Sequence, residues 1–115
     1  MNIGDTGSSS VRPSFVVTPI EGIRDALGES VAIEHIDSDM LDAADLSSLA
    51  TADAVVVVTG LTEEDEGEAI IGAGDRVDLD LPQEREQLIV DAASVNDRVI
   101  VVLDGGGAIA RPDGL

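Results

Sequence analysis

The feature that most constrains the fold is a run of four valines, residues 55–58, which breaks at Gly60. The run does not alternate with polar residues, and such a pattern is typical of a strand covered on both faces in a parallel sheet. An acidic loop follows it directly and extends to a second apolar segment near Leu81. We therefore predict a strand over residues 55–59, buried on both faces, that delivers a carboxylate-rich loop from its carboxyl end.

Helices and further strands are predicted on both sides of this strand. The sequence Thr-Pro-Ile-Glu at 18–21 is a helix start with a capping box, and Gly28 ends that helix. A second helix begins at Pro82 and ends at Asn96. The remaining predicted elements are a strand at 31–35, a weak helix within 37–52 and a buried strand at 98–103.

Short apolar strands that alternate with helices indicate an α/β fold. We predict a partial three-layer sandwich with a mainly parallel sheet, flavodoxin-like or Rossmann-like in character. The 115 residues suffice for one small domain, residues 1–115. Three strands are few for such a sheet, so we interpret this domain as incomplete.

The charge of the chain excludes several classes of partner. There are 24 acidic residues against six basic ones, all of them arginine, and the net charge is −18. Such a chain is repelled by nucleic acid and by anionic membrane surfaces. The charge is explained by colloidal solubility or by a salt-adapted source. No cysteine is present, so disulfides and thiolate chemistry are excluded, and no secretory pattern identifies a compartment.

The acidic loop is the main candidate for a functional site. Its carboxylates are Glu63, Glu64, Asp65, Glu66 and Glu68. A solvated acidic surface is the ordinary explanation for such a run. A calcium loop requires alternating carboxylates before a glycine, and this spacing does not match.

Three other polar features are assigned structural roles. Asp75 and Arg76 are expected to anchor the returning end of the loop, as an ion pair. The glycines at 105–107 follow a strand but lack the spacing of a nucleotide-binding loop, so we predict a turn. His35, the single histidine, is expected at the surface.

Four segments in series resemble a known family. They are GDTGSSSVRPSFVVTPIEGIRDALG at 4–28, ADAVVVVTGLTEEDEGE at 52–68, GDRVDLDLP at 74–82 and QLIVDAASVNDRVIVVLDGG at 87–106. In this order they resemble the C-terminal α/β sandwich domain of glycoside hydrolase family 3, the β-glucosidase family. The resemblance covers most of the chain.

The resemblance implies part of a retaining β-glycosidase that hydrolyses terminal β-linked sugars, with glucose the first expectation. It implies an Asp nucleophile from a (β/α)8 barrel domain missing from this chain, a carbohydrate as substrate, and no metal or organic cofactor. The family's Glu-Gly pair falls on Glu66 and Gly67, which makes Glu66 the expected acid/base, with Glu68 as the alternative. Without the nucleophile, the chain alone is expected to be inactive.

The chemistry of an acid/base carboxyl fits a loop of this composition. Such a group must hold a proton near neutral pH, and nearby carboxylates favour that state by repulsion. The competing interpretation is a non-catalytic acidic α/β binding module with no hydrolase activity. The sequence leaves open the sugar, the linkage and the oligomeric state.

Overall fold

A computed structural model describes residues 13–66 and 76–110. The chain divides into two compact units, Met1–Asp37 and Ser38–Leu115, which are described separately. The first unit contains helix α1 (Pro19–Leu27), followed by a single 3-10 turn (Gly28–Ser30). The second contains helices α2 (Ala43–Thr51), α3 (Glu63–Glu66) and α4 (Gln83–Val95), and strands β1 (Val55–Gly60) and β2 (Val99–Asp104).

Helix α1 begins with the predicted capping box. The hydroxyl of Thr18 accepts a hydrogen bond from the Glu21 amide (3.3 Å), and the Glu21 carboxylate accepts one from the Thr18 amide (2.8 Å). This amide, together with the Thr18 hydroxyl, lowers the pKa of Glu21. The helix ends at Gly28, whose φ of 63° suits glycine. Both predicted ends of α1 are therefore confirmed.

The strand predicted at residues 31–35 is wrong. This segment lies outside any helix or strand, and Val31 and His35 are both exposed. A strand requires a neighbouring strand to complete its ladder of backbone hydrogen bonds, and local sequence carries no information about that neighbour. The surface position predicted for His35 is confirmed.

The predicted parallel α/β arrangement is confirmed in the second unit. Strands β1 and β2 pair in parallel, with Val55 opposite Val99 and Gly60 opposite Asp104, and α4 lies between them in the chain. Within the described residues these two strands form the whole sheet. Because the strands are paired from end to end, both carboxyl ends lie at one edge of the sheet.

One face of the sheet packs against α4. Ile89 and Ala92 of α4 are fully buried beside Val55 and Val57 of β1. Residues 62–80, the acidic loop of the sequence, are called the acidic segment below. Leu61 and Leu81, which flank it, complete the buried cluster in the described part of the chain. The core therefore extends to the carboxyl end of β1, where the acidic segment begins.

The predicted burial of both faces of the sheet is wrong. Side chains on the face opposite α4 remain 41–56% exposed. These are Val56, Val58, Ile100 and Val102. Neighbours along a strand point to opposite faces, so α4 covers only the alternate residues.

Helices α2 and α4 are joined by one side chain. Asn96, which ends α4 as predicted, donates hydrogen bonds to the carbonyls of Leu49 (2.8 Å) and Ala52 (2.9 Å). Its own side-chain oxygen accepts a hydrogen bond from the Arg98 amide at the start of β2 (2.8 Å). The weak helix predicted within 37–52 is present as the shorter α2, which a capping box at Asp42 begins.

No helix in the described ranges combines the length and the apolar character needed to cross a bilayer.

The backbones of the two strand ends approach closely at Gly60. A Cβ atom at this position would overlap the backbone carbonyl of Asp104. Replacing Gly60 by alanine is therefore expected to destabilise the second unit by about 3 kcal/mol or more, since backbone atoms would have to separate. Urea denaturation followed by circular dichroism measures this change.

Gly22→Ala is the matched control. A Cβ atom at Gly22 would meet only the Val17 side chain, at 3.9 Å. Because glycine inside a helix costs roughly 0.5–1 kcal/mol relative to alanine, we expect this variant to be equally or more stable. If Gly60→Ala were as stable as Gly22→Ala, the close approach at Gly60 would be contradicted.

Candidate functional site

The acidic segment begins with one helical turn, where the sequence predicts a loop. After β1, the Leu61 amide donates to the Asp104 carbonyl (2.8 Å), which continues the strand pairing by one residue. Helix α3 then spans Glu63–Glu66. Thr62 precedes it, and the Thr62 hydroxyl accepts a hydrogen bond from the Asp65 amide (3.4 Å). This Thr-x-x-Asp pattern is a capping box, and it was the signal that could have predicted α3.

One carboxylate oxygen of Asp65 holds this turn in place. Asp65 Oδ2 accepts hydrogen bonds from the Thr62 amide (2.7 Å), the Thr62 hydroxyl (2.7 Å) and Arg85 Nη1 (2.6 Å). Arg85 lies in the first turns of α4, and its Nη1 also donates to the Gly60 carbonyl (2.5 Å). The end of β1, the helix α3 and the helix α4 therefore meet at a single guanidinium group.

These contacts fix the charge of Asp65. Partial burial alone raises the pKa of this carboxyl, but the hydrogen bonds from Thr62 and the guanidinium of Arg85 outweigh it and hold the pKa below its ordinary value. The Asp65 and Arg85 side chains are only 25% and 18% exposed. Asp65 is thus an ionised structural carboxylate at neutral pH, and it is unsuited to proton donation.

The neighbouring carboxylate, Glu66, points to the glycine turn that follows β2. Glu66 Oε1 accepts a hydrogen bond from the Gly107 amide at 2.7 Å, across 41 residues of sequence. No described residue donates to its second oxygen, Oε2. Glu66 is half-buried, and it lies at the edge where β1 and β2 both end.

The glycines of this turn make room for the Glu66 carboxylate. A Cβ atom on Gly106 would lie 2.6 Å from Glu66 Oε2, closer than real contacts allow. On Gly107 it would lie 3.6 Å from Glu66 Oε1 and 3.7 Å from Arg76 Nη1. The chain bends at Gly106 and Gly107, where the turn at 105–107 is predicted, and these glycines form one wall around the carboxylate of Glu66.

Arg76 anchors the returning end of the acidic segment. Its guanidinium donates to the carbonyls of Ala108 (2.8 Å) and Asp80 (3.1 Å). The partner predicted for it, Asp75, lies outside the described residues, as do Gly67 and Glu68. Arg76 thus binds backbone carbonyls beside the glycine turn.

The other carboxylates of the segment are less constrained. Glu64 is exposed and Glu63 is half-exposed. In the described ranges, no three histidine or carboxylate side chains come together in a way that could hold a metal ion. Among the described carboxylates of the segment, Glu66 is the one that reaches the glycine turn.

An open groove of about 410 Å³ lies elsewhere in the second unit, along α4. It is lined by Asp39, Met40, Leu41, Gln83, Glu84, Gln87, Leu88 and Asp91. No residue of the acidic segment contributes to this groove.

Asp65 makes stability depend on pH. Because its folded pKa is lowered, its stabilising contribution is full above the unfolded pKa of about 3.9 and is lost as pH falls through the folded pKa. We expect Asp65→Asn to cost about 1–2 kcal/mol at pH 7 and clearly less at pH 3. Urea denaturation of both proteins at the two pH values measures the difference.

The stability of Asp65→Asn is compared with that of wild type at each pH. This is needed because Glu21 also has a lowered pKa, so wild-type stability falls in acid regardless of Asp65. Glu64→Gln, at an exposed position, serves as the control and is expected to change stability little at either pH. An equal loss for Asp65→Asn at pH 7 and pH 3 would show that the charge of Asp65 is not the source.

Comparisons with known proteins identify the family that the chain resembles. The model of the glycosyl hydrolase family 3 C-terminal domain matches residues 1–113. A thermostable beta-glucosidase B of Acetivibrio thermocellus is 27% identical over 93% of this chain, and a beta-xylosidase of Formosa agariphila is 31% identical over 87% of it.

The matched regions amount to 15% and 14% of those two proteins, so this chain spans a small fraction of their length. No solved structure gives a significant match. The family model nevertheless covers nearly the whole chain and both of its compact units. The chain therefore belongs to the glycosyl hydrolase family 3 C-terminal domain family.

Proposed function

We propose that this chain contributes the acid/base carboxyl, Glu66, to a retaining β-glycosidase that hydrolyses terminal β-linked sugars. The observation that carries the proposal is the setting of the Glu66 carboxylate. It is half-buried, it accepts one hydrogen bond from the Gly107 amide, and it lies where both strands of the sheet end. Ligands of open α/β sheets bind at the carboxyl ends of the strands, which supports this location.

The contacts of the neighbouring carboxylates favour Glu66 over them. Asp65 is committed to Thr62 and Arg85 and stays ionised, so it has no proton to give. Glu64 is exposed, and none of the described residues forms a hydrogen bond or ion pair with its side chain that would aim it. Glu66 combines one anchored oxygen with a second oxygen that receives no hydrogen bond from the described residues.

The proposed retaining mechanism, which the family resemblance implies, gives the two oxygens different roles. In the first step, protonated Glu66 transfers its proton to the glycosidic oxygen as the bond from that oxygen to the anomeric carbon breaks, while an Asp nucleophile bonds to that carbon. In the second step, the Glu66 carboxylate takes a proton from water as the water oxygen displaces the nucleophile. The Gly107 amide holds Oε1, which leaves Oε2 for both proton transfers.

The nucleophile is proposed to come from a (β/α)8 barrel domain. A retaining mechanism needs two carboxyl groups about 5–5.5 Å apart, one on each side of the scissile bond. The named relatives are several times longer than this chain, which supports a second domain in the complete enzyme. One family model extends across both compact units, which supports the proposal that residues 1–115 work as a single domain.

The sugar is proposed to be a neutral β-linked glycoside. One relative is named a beta-glucosidase and the other a beta-xylosidase, so glucosides and xylosides are the first substrates to test. Glucose and xylose differ by a single hydroxymethyl group, and a site distinguishes them by contacts made beyond the acid/base carboxyl.

The chain alone is expected to hydrolyse neither 4-nitrophenyl β-glucoside nor 4-nitrophenyl β-xyloside, because one carboxyl cannot complete a retaining mechanism. Release of 4-nitrophenol by the purified chain, compared with its Glu66→Ala variant, measures this. Turnover that depends on Glu66 would show that the chain holds its own second carboxyl. Sequencing the DNA on either side of the reading frame tests separately for an encoded barrel with an Asp nucleophile.

Glu66→Ala is expected to have a diagnostic effect in an enzyme that joins this chain to its nucleophile domain. Hydrolysis of aryl glycosides with poor leaving groups should fall by about 10²–10⁴, the usual contribution of general acid catalysis. Bond cleavage in substrates with good leaving groups, such as dinitrophenyl glycosides, should fall far less, since these need no proton. Added azide should raise turnover of the good substrates and yield a β-glycosyl azide, because azide attacks without a general base.

Two further variants complete this experiment. Glu64→Ala removes an equal charge from an exposed position and is expected to leave the leaving-group dependence unchanged. Glu68→Ala tests the alternative acid/base residue. If Glu68→Ala shows the leaving-group dependence and azide rescue while Glu66→Ala does not, the assignment moves to Glu68. If neither does, the non-catalytic module becomes the better description.

A further inference from the structure

We infer that Arg85 is the positioning residue for Glu66, an inference that rests on the proposed role of Glu66. Arg85 does not contact Glu66 in any described hydrogen bond. Arg85 acts through Asp65, the residue before Glu66, because Arg85 Nη1 donates a hydrogen bond to Asp65 Oδ2 at 2.6 Å. This contact is the one salt bridge within the described ranges of the chain.

The guanidinium of Arg85 binds both ends of one short segment, residues 60–65. The same nitrogen, Nη1, donates to the Gly60 carbonyl and to the Asp65 carboxylate. Thr62 supplies two more hydrogen bonds to that carboxylate, so the backbone from Gly60 to Asp65 is fixed at both ends. Glu66 follows Asp65 directly, so this fixed stretch of backbone sets the direction of the Glu66 side chain.

Helix α3 needs such support because it is only four residues long. A helix of one turn is unstable in isolation, since nucleation costs more than its first hydrogen bond returns. Asp65 and Glu66 lie in the same turn, and the Glu66 amide donates to the Thr62 carbonyl (3.1 Å). If the ion pair is removed, we expect this turn to loosen and the contact between Glu66 and Gly107 to weaken with it.

The contacts of Arg85 suit a positioning role better than a general structural one. Its side chain is 18% exposed at the edge of the acidic segment, whereas the apolar core is formed by residues such as Ile89 and Val57. The charge is neutralised locally by Asp65, and a partly buried hydrogen-bonded pair of this kind fixes geometry. Its removal should therefore act on the segment that carries Glu66 more than on the sheet.

Amide hydrogen exchange on this chain tests the inference without requiring catalysis. The informative amides are those of Gly107, which donates to Glu66, and Glu66, which donates to Thr62. The reference amide is that of Val55, which donates to the Arg98 carbonyl at 2.9 Å at the start of the sheet. In Arg85→Gln we expect the first two to exchange at least about fivefold faster, and Val55 less than about twofold faster.

Arg98→Gln is the matched control, because it removes an equal charge from an exposed side chain at the far end of the sheet. It is expected to leave the Gly107 and Glu66 amides unchanged. Arg85→Lys keeps the charge and one donating nitrogen, and it should restore part of the protection. If Arg85→Gln does not fold, Arg85→Lys is compared with wild type, and faster exchange confined to Gly107 and Glu66 is expected.

Two results would overturn the inference. One is unchanged exchange at Gly107 and Glu66 in a folded Arg85 variant. The other is an equal acceleration at Val55, which would mean that Arg85 stabilises the whole unit.

Activity of an enzyme that carries the nucleophile domain supplies a separate readout. There, Arg85→Gln should lower kcat for poor leaving groups at least about tenfold with little change in KM, and Arg85→Lys should recover part of it. If Arg85→Gln accelerates exchange at the Gly107 and Glu66 amides but Glu66→Ala leaves catalysis unchanged, the effect of Arg85 on Glu66 stands and the acid/base proposal fails. If Glu66→Ala shows the leaving-group dependence of an acid/base residue but Arg85→Gln leaves exchange at the Gly107 amide unchanged, the acid/base proposal stands and the inference about Arg85 fails.

Discussion

The close backbone approach between Gly60 and Asp104 is the constraint on which the rest of the second unit depends. It brings the ends of β1 and β2 to the same edge, and the hydrogen bond from the Leu61 amide to the Asp104 carbonyl extends that contact. The acidic segment and the glycine turn therefore start side by side, although more than 40 residues separate them in the chain. A bulkier residue at Gly60 would separate these two starting points, and the pairing of Glu66 with Gly107 would be lost.

Beyond that edge, two adjacent carboxylates have different environments. Asp65 lies among donors that stabilise its charge, whereas Glu66 reaches away from them to a turn without side chains. Both residues lie in the same helical turn, and because neighbouring residues of a helix point in different directions, the two carboxylates have different partners.

The features that the sequence predicted correctly depend on contacts between near neighbours. The capping box at Thr18 and the end of α4 at Asn96 are set within a few residues, and each is found in the structure. The cap at Thr62 has the same local character and was identifiable. The predicted strand at 31–35 failed because a strand is defined by a partner elsewhere in the chain.

The candidate site depends on distant contacts, which a single sequence does not reveal. Arg85 meets Asp65 across 20 residues, and Glu66 meets Gly107 across 41. Neither spacing follows a helical or strand period, so only the family resemblance directed attention to Glu66 in advance. The covered and exposed faces of β1 were likewise decided by where α4 packs, and the valine run alone carried no sign of it.

Asn96 makes the second unit sensitive to deamidation. Its amide uses both of its hydrogens, on the carbonyls of Leu49 and Ala52, and its oxygen on the Arg98 amide. Hydrolysis of that amide to a carboxylate would leave an acceptor in place of two donors, facing two carbonyl oxygens. Asparagine is among the thermolabile residues, so slow deamidation on heating would first separate α2 from α4. The protein would then change first at this joint, while the contacts at the carboxyl ends of the two strands remained intact.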